Sequence, residues 1–272
     1  MTGYEIRQSL RTGRHVYATC IVSPSTIWPK WLVNTGVDFV FIDSEHTPLD
    51  RETLSWMSQT FSALGIPPVV RIPSPDPFEA CKILDGGAVG FIAPYIETPE
   101  QVRELMGVAR YRPLKGQRLQ DALRDPNTLE PELRTYLEER NKHTIFIANI
   151  ESIPAIRNLD EILAVGAIDS VLIGPHDLSC SLGVPEQYSH PKFIDAVGTI
   201  FKKARAHNVG AGMHWWRGVH DELVWAGLGG NLLMHSTDVT LVVQHLTKEL
   251  NDLRAKLGDS SVATGDCHSA SV

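Results

Sequence analysis

The feature that most constrains this chain is an eightfold recurrence: a short run rich in Val, Ile and Phe, then a longer amphipathic stretch. The runs are VYATCIV from Val16, FVFID from Phe39, PVVRI from Pro68, VGFIAPY from Val89, TIFIANIE from Thr144, SVLIGP from Ser170, VGAGMHW from Val209 and NLLMHS from Asn231. Short apolar runs without polar alternation read as strands buried on both faces, as parallel strands are. Between them, segments such as DRETLSWMSQTFSALG, TPEQVRELMGVARY and HPKFIDAVGTIFKKARAHN space apolar residues three and four apart, and several open on Asp, Ser or Thr, which cap helix N-termini. Eight strand-helix repeats in 272 residues fit a closed (β/α)8 TIM barrel, for which about 250 residues suffice, better than an open doubly wound sheet. The predicted domain spans residues 1–257. From Gly258, GDSSVATGDCHSASV has too little apolar surface to pack and is expected to be disordered. Residues 112–128, RPLKGQRLQDALRDPNT, mix Pro, Gly and charge and are expected to form a long loop that belongs to the site.

Charge and motif content exclude several function classes. The net charge is -7 and no basic stripe is present, so the footprint expected of a nucleic-acid binder is missing. The polar start and the absence of about 18 consecutive apolar residues predict a cytoplasmic protein without a membrane span. Cys20, Cys81, Cys180 and Cys267 show no CxxC spacing and read as reduced thiols. No GxxxxGK[ST], GxSxG, HExxH or strand-linked GxGxxG occurs, which removes phosphate-loop, hydrolase-elbow, zincin and Rossmann readings. All nine lysines lie outside the eight apolar runs, so a carbanion would be stabilised by a metal rather than through an imine.

Barrel enzymes gather their catalytic groups at the carboxyl ends of the strands. Here those ends carry Asp43, Ser44, Glu45 and His46 on the second run, Arg71 on the third, Glu151 on the fifth, and Gly174, Pro175, His176 and Asp177 on the sixth. Glu151 and Asp177 lie one repeat apart and can project into one mouth. Two carboxylates there suit a hard divalent ion such as Mg²⁺ or Mn²⁺, with a chelating 2-oxo acid completing its shell. Alternatively each caps the helix that follows. Asp43 can orient His46 as a general base, or the two can be a turn former and a solvated bystander. Arg71 inside an apolar strand requires an anion, either a substrate oxyanion or an internal salt-bridge partner.

FIDSEHTPLD, PPVVRIPSPDP, ANIES and VLIGPHDLS, together with RYRPLKGQR, resemble the HpcH/HpaI aldolase/citrate lyase family in order and spacing, over about Arg11 to Leu250. The resemblance implies a barrel of the phosphoenolpyruvate/pyruvate type and a class II, metal-dependent lyase. Such an enzyme cleaves a 4-hydroxy-2-oxo acid to pyruvate and an aldehyde through an enolate stabilised by Mg²⁺, Mn²⁺ or Co²⁺. It implies Glu151 and Asp177 as metal ligands, His46 with Asp43 as the base, Arg71 on the keto oxygen and Glu45 in a supporting role at the metal's water; Gly174, Pro175 and His176 are expected against the substrate, unless His176 is a surface histidine. It also implies a homohexamer that exchanges its last helix between subunits. Oxaloacetate decarboxylation, or decarboxylative condensation of the macrophomate synthase kind, would use the same enolate site; a barrel that only binds a 2-oxo acid would not need Asp43 and His46. The sequence departs from the family at LQDALRD after Arg118, at His214, Trp215 and Trp216, and at Met234, His235 and Ser236, so the aldehyde pocket is expected to be reshaped.

Overall fold

The computed structural model describes residues 1–260. Each predicted run forms a strand: β1 Val16–Ile21, β2 Phe39–Asp43, β3 Pro68–Arg71, β4 Gly90–Ala93, β5 Ile145–Asn149, β6 Ser170–Ile173, β7 Gly210–Trp215 and β8 Leu232–Thr237. They pair in parallel in sequence order, and β8 returns to β1 to close the barrel. Side chains alternate across a strand, so closure sorts each one by parity. Val16, Ala18, Cys20, Phe39, Phe41, Val69, Ile92, Ile145, Ile147, Leu172, Leu232 and Met234 fill the lumen. Val40, Ile42, Val70, Phe91, Phe146, Val171, Ile173, Met213 and Trp215 face the surrounding helices. One step further along the lumen parity, the residues become polar: Asp43, Arg71, Asn149, His214 and Ser236, all buried. That layer is the floor of the carboxyl-end mouth.

The amino end is plugged by the helix Gly3–Thr12, whose Ile6 and Leu10 join the lumen cluster. Its Arg7 and Arg11 reach the fully buried Asp169 at 2.9 and 3.3 Å, and Arg110 meets the other oxygen at 2.6 Å. Burial alone would raise the Asp169 pKa, but Arg110 and Arg7 bring it below the usual carboxylate value.

Residues 112–128 are not the loop expected. They form the helix Gly116–Arg124 and a 3-10 turn, Pro126–Thr128. Ala122 is fully buried with Leu129 and Leu137, and Leu119 and Leu123 crowd Gly107. This three-and-four spacing was present in the sequence, masked by the flanking Pro and Gly. None of these residues lines the mouth. The final helix, Asp238–Leu257, is anchored at its start, where the Asp238 carboxylate accepts from Val22 and Ser23. Beyond that point Val239, Val242, Leu246 and Leu253 are exposed. Gly258 caps this helix; the expectation of a disordered tail otherwise falls mainly on residues outside those described. Among the described residues no helix is long and apolar enough to cross a membrane.

β7 and β8 approach too closely for any side chain at Gly212, where a Cβ would lie 2.1 Å from the Leu232 carbonyl oxygen and 2.7 Å from its Cβ. Gly212→Ala must push the strands apart at the closing seam. Overpacking of this kind costs about 3 kcal/mol, or roughly 6–12 °C in Tm for a chain of this size. Calorimetry showing an unchanged Tm would contradict the close approach.

Candidate active site

The β2–β3 register sets Asp43 beside Arg71. The guanidinium grips the carboxylate with two donors, Nε to Oδ1 at 2.8 Å and Nη2 to Oδ2 at 2.6 Å. Nε also lies 3.1 Å from Glu45 Oε2, and the Cζ stands 5.3 Å from the centre of the Phe41 ring. Burial works against both charges, yet the pairing wins: the Asp43 pKa falls below its ordinary value and that of Arg71 rises above its own. Arg71 therefore has the internal salt bridge that the sequence left open, and its Nη1 has no partner among the described residues. Arg71 also lines the mouth, a cavity of about 190 Å³.

Two other carboxylates stand beside Gly174, and of these Asp177 lines the cavity. Glu151 is buried; its Oε1 accepts from the Tyr95 amide at 3.2 Å and its Oε2 from Asn149 Nδ2 at 3.0 Å. Tyr95 takes up a left-handed backbone, φ 54°, to present that amide. Its hydroxyl hydrogen bond to Glu45, with that carboxylate's charge, pushes its pKa up to about 12. Asp177 sits in the first turn of the helix Pro175–Ser181. Gly174 stands between the two: a Cβ there would lie 2.8 Å from Glu151 Oε2 and 3.2 Å from Asp177 Oδ2. Burial, and then the charge of Asp177, raise the Glu151 pKa to about 7. Neither acid is an N-cap. Ser152 caps the helix Ile153–Arg157, and Gly174, at the cap of the next helix, has no side chain to offer.

This arrangement fits a divalent cation. Two close carboxylates, one of them with its pKa raised by burial and then by the charge of the other, lack only a positive charge between them. Among the described residues no group of three or more His, Cys, Asp or Glu converges. An ion here would take two protein oxygens and the remainder from water or a ligand, as Mg²⁺ commonly does.

The Asp43–His46 hydrogen bond expected from their spacing does not form. Both Asp43 oxygens are taken by Arg71, and Oδ1 also accepts from the Glu45 amide. His46 lies at the exposed rim, with Nε2 3.7 Å from Glu45 Oε2, beyond direct hydrogen-bond range. Gly174, Pro175 and His176 line the cavity; His176 is half exposed, with Nδ1 3.7 Å from Glu186. Of the aromatic and histidine departures, only His214 and Trp216 reach the cavity. Trp215 faces the helical shell, Met234 lies in the lumen, and His235 pairs with Glu222 at 2.8 Å. Sequence reasoning missed Asn149, Tyr95 and Phe41. Lumen parity, counted two positions back from Glu151 and Asp43, would have found the first and last.

Gly174→Ala should drive the Glu151 carboxylate from its place while sparing the backbone, whose φ is -80°. Mn²⁺ affinity by titration calorimetry is expected to fall about 10–100-fold, the scale of losses when ligand orientation is disturbed. Equal affinity would show that the two oxygens do not share an ion. Because the folded protein holds the Glu151 proton more tightly than an ordinary carboxyl, Mn²⁺ affinity should rise with pH up to about 7 and flatten above it. For the metal-free protein the sign is opposite: this group's contribution to stability is complete below about 4.5 and is lost as pH rises through about 7. Glu151→Gln should abolish both dependences, and a profile identical to the wild type would remove Glu151 from the ion site.

The HpcH/HpaI aldolase/citrate lyase profile matches residues 27–226. A 2-keto-3-deoxy-L-rhamnonate aldolase from Salmonella gallinarum is 31% identical over 206 residues, which cover 76% of this chain and 77% of that protein. The crystal structure of an HpcH/HpaI aldolase from Desulfitobacterium hafniense superposes with a TM-score of 0.78 at 25% identity, over 91% of this chain and 96% of the other. Macrophomate synthase shares the fold, with a TM-score of 0.75 at 24% identity, over 94% and 90% of the two chains. With its closed barrel and its four motifs at the strand ends, the chain belongs to the HpcH/HpaI aldolase/citrate lyase family.

Proposed function

We propose that this protein is a divalent-metal-dependent carbon-carbon lyase that cleaves a 4-hydroxy-2-oxo acid to pyruvate and an aldehyde. The observation that carries the reading is the pair Glu151 and Asp177, converging over Gly174, with Gly174 and Asp177 lining the same cavity as the buried Arg71. The similarity to a 2-keto-3-deoxy-L-rhamnonate aldolase supports the same reaction class.

In this reading Glu151 and Asp177 hold the ion. Mg²⁺, Mn²⁺ or Co²⁺, when bound, supplies Lewis-acid charge for the developing enolate oxygen. Arg71 offers its unpartnered Nη1 to the substrate's keto oxygen; Asp43 and Glu45 hold its guanidinium in position, so no reorganisation is needed as charge accumulates. His46, at the rim beside Glu45, takes the proton of the C4 hydroxyl. The O–H electrons form the aldehyde carbonyl, the C3–C4 pair becomes the enolate, and a proton added at C3 completes pyruvate. Asp43 acts through Arg71 rather than by touching His46. Gly174 leaves room for the two acids that would hold the ion, and Pro175 and His176 border the substrate.

The exposed apolar stripe Val239, Val242, Leu246 and Leu253 supports a homo-oligomer in which a second copy covers the last helix, in keeping with a trimer-based hexamer.

Incubation with a panel of 4-hydroxy-2-oxo acids and with oxaloacetate, with Mn²⁺ or Mg²⁺ and then with EDTA, tests the reading. Pyruvate with a stoichiometric aldehyde, lost on chelation and reduced about 100-fold or more in Glu151→Gln and Arg71→Met, is expected. Release of CO2 alone, from oxaloacetate, would replace the aldolase by a decarboxylase. Turnover indifferent to EDTA would overturn the metal site.

A further inference from the structure

Outside the barrel wall, the helices Arg51–Ala63 and Pro77–Asp85 enclose a second cavity of about 130 Å³, and none of the residues lining it lines the mouth. Its apolar wall is Leu49, Leu54, Pro73 and Ile83. Among these stand polar groups whose bonding is incomplete. Ser58 is 1% exposed, yet its hydroxyl makes no hydrogen bond among the described residues. A helical hydroxyl can bond the carbonyl four residues back, as Thr60 bonds Trp56 at 2.7 Å in the same helix. Arg51 lines the cavity from the first turn of that helix, and no acid or carbonyl among the described residues meets its guanidinium. Lys82 is held by Glu79 at 2.8 and 2.9 Å. Two cations against one carboxylate leave the lining one positive charge in excess.

An apolar wall with an unpaired guanidinium suits an amphipathic anion. An inorganic anion would leave Leu49, Leu54 and Ile83 facing water, and a plain hydrocarbon would leave Arg51 unmet. A cavity of about 150 Å³ holds a ring of six carbons, so this one holds a chain of roughly four. We infer that the cavity binds a short-chain monocarboxylate, its chain against Leu54 and Ile83 and its carboxylate accepting from Arg51 and Lys82. Ser58 adds a donor deeper inside. The occupant acts on the mouth through Ser44, which lines this cavity and donates to the Arg71 carbonyl from its hydroxyl at 2.5 Å and from its amide at 3.3 Å. Ser44 also lies between Asp43 and Glu45, the two acids that hold the Arg71 guanidinium. A carboxylate bound here thus bears on Arg71 from behind the strand ends without touching the substrate. The binding is independent of the proposed lyase reading; only its effect on turnover rests on that reading.

Titration calorimetry of the full-length protein, treated with EDTA so that no metal draws the carboxylate to the mouth, compares butyrate, butyramide and butylammonium. Butyrate is expected to bind with a Kd of about 1 mM, in keeping with a ligand of so few atoms, and the other two roughly tenfold or more weakly. Arg51→Gln, at an exposed position outside the catalytic machinery, should weaken butyrate about tenfold, the scale of one lost hydrogen bond to a charged group. Ser58→Leu should fill the cavity and abolish binding; if that variant does not fold, Arg51→Gln still decides. In turnover of a 4-hydroxy-2-oxo acid with Mn²⁺, saturating butyrate should shift the wild-type KM by about fivefold and leave that of Arg51→Gln unmoved. Butyrate bound equally by the wild type and Arg51→Gln would place it elsewhere, Arg71 in the mouth included, and overturn the site. No binding, or equal binding of butyramide, would do the same. Binding without a change in KM would overturn the action through Ser44, whereas absence of any lyase turnover would count against the lyase reading alone, since the calorimetry needs none.

Discussion

Closure of the barrel is the constraint on which everything else in this molecule depends. Eight parallel strands joined in a ring have a lumen only wide enough for side chains, and every strand residue must point either into it or toward the helices. The lower lumen is apolar because nothing there could satisfy a polar group. The uppermost layer is open to a cavity, and there the same parity brings up Asp43, Arg71, Asn149 and His214. The site is thus the exposed end of the core rather than a set of loops placed over it.

Within that layer, four carboxylates are treated in two ways. Asp43 and Glu45 are both paired with Arg71, which fixes the guanidinium and engages its Nε and Nη2. Glu151 and Asp177 form no ion pair among the described residues, and burial, with the charge of Asp177 added, raises the Glu151 pKa to about 7. A protein that only needed stability would gain from pairing the second couple as it does the first. Leaving the couple without a cation, Glu151 buried and Asp177 exposed, with a glycine where any side chain would intrude, supports the proposed ion site. The Tyr95 strain serves the same end, since its left-handed backbone brings an amide to Glu151 and a hydroxyl to Glu45.

The opposite, amino end of the barrel is built for permanence. Asp169 is buried under three arginines, two of them from the first helix, so the plug cannot leave without stranding a charge. The carboxyl end keeps its unsatisfied groups and its cavity. The separation of stabilising and reactive ends is the usual division of labour in this fold.

The sequence by itself determined the strands, the helices between them and the closed barrel, because apolar runs and three-and-four spacing report burial directly. It also determined that Glu151, Asp177, Arg71 and His46 gather at one mouth, because strand ends share one rim. It misjudged residues 112–128, where Pro and Gly hid Leu119, Ala122 and Leu123 on one helical face. Only the tertiary structure decided who bonds to whom. Spacing suggested that Asp43 served His46, three positions away; register across the sheet gave Asp43 to Arg71, 28 positions away. Likewise Tyr95 has no local signature, and His214 finds its partner, the Ser236 carbonyl, on the neighbouring strand. Local sequence encodes which face a residue takes, whereas hydrogen-bond partners are chosen between strands distant in the chain, and those contacts exist only once the ring has closed.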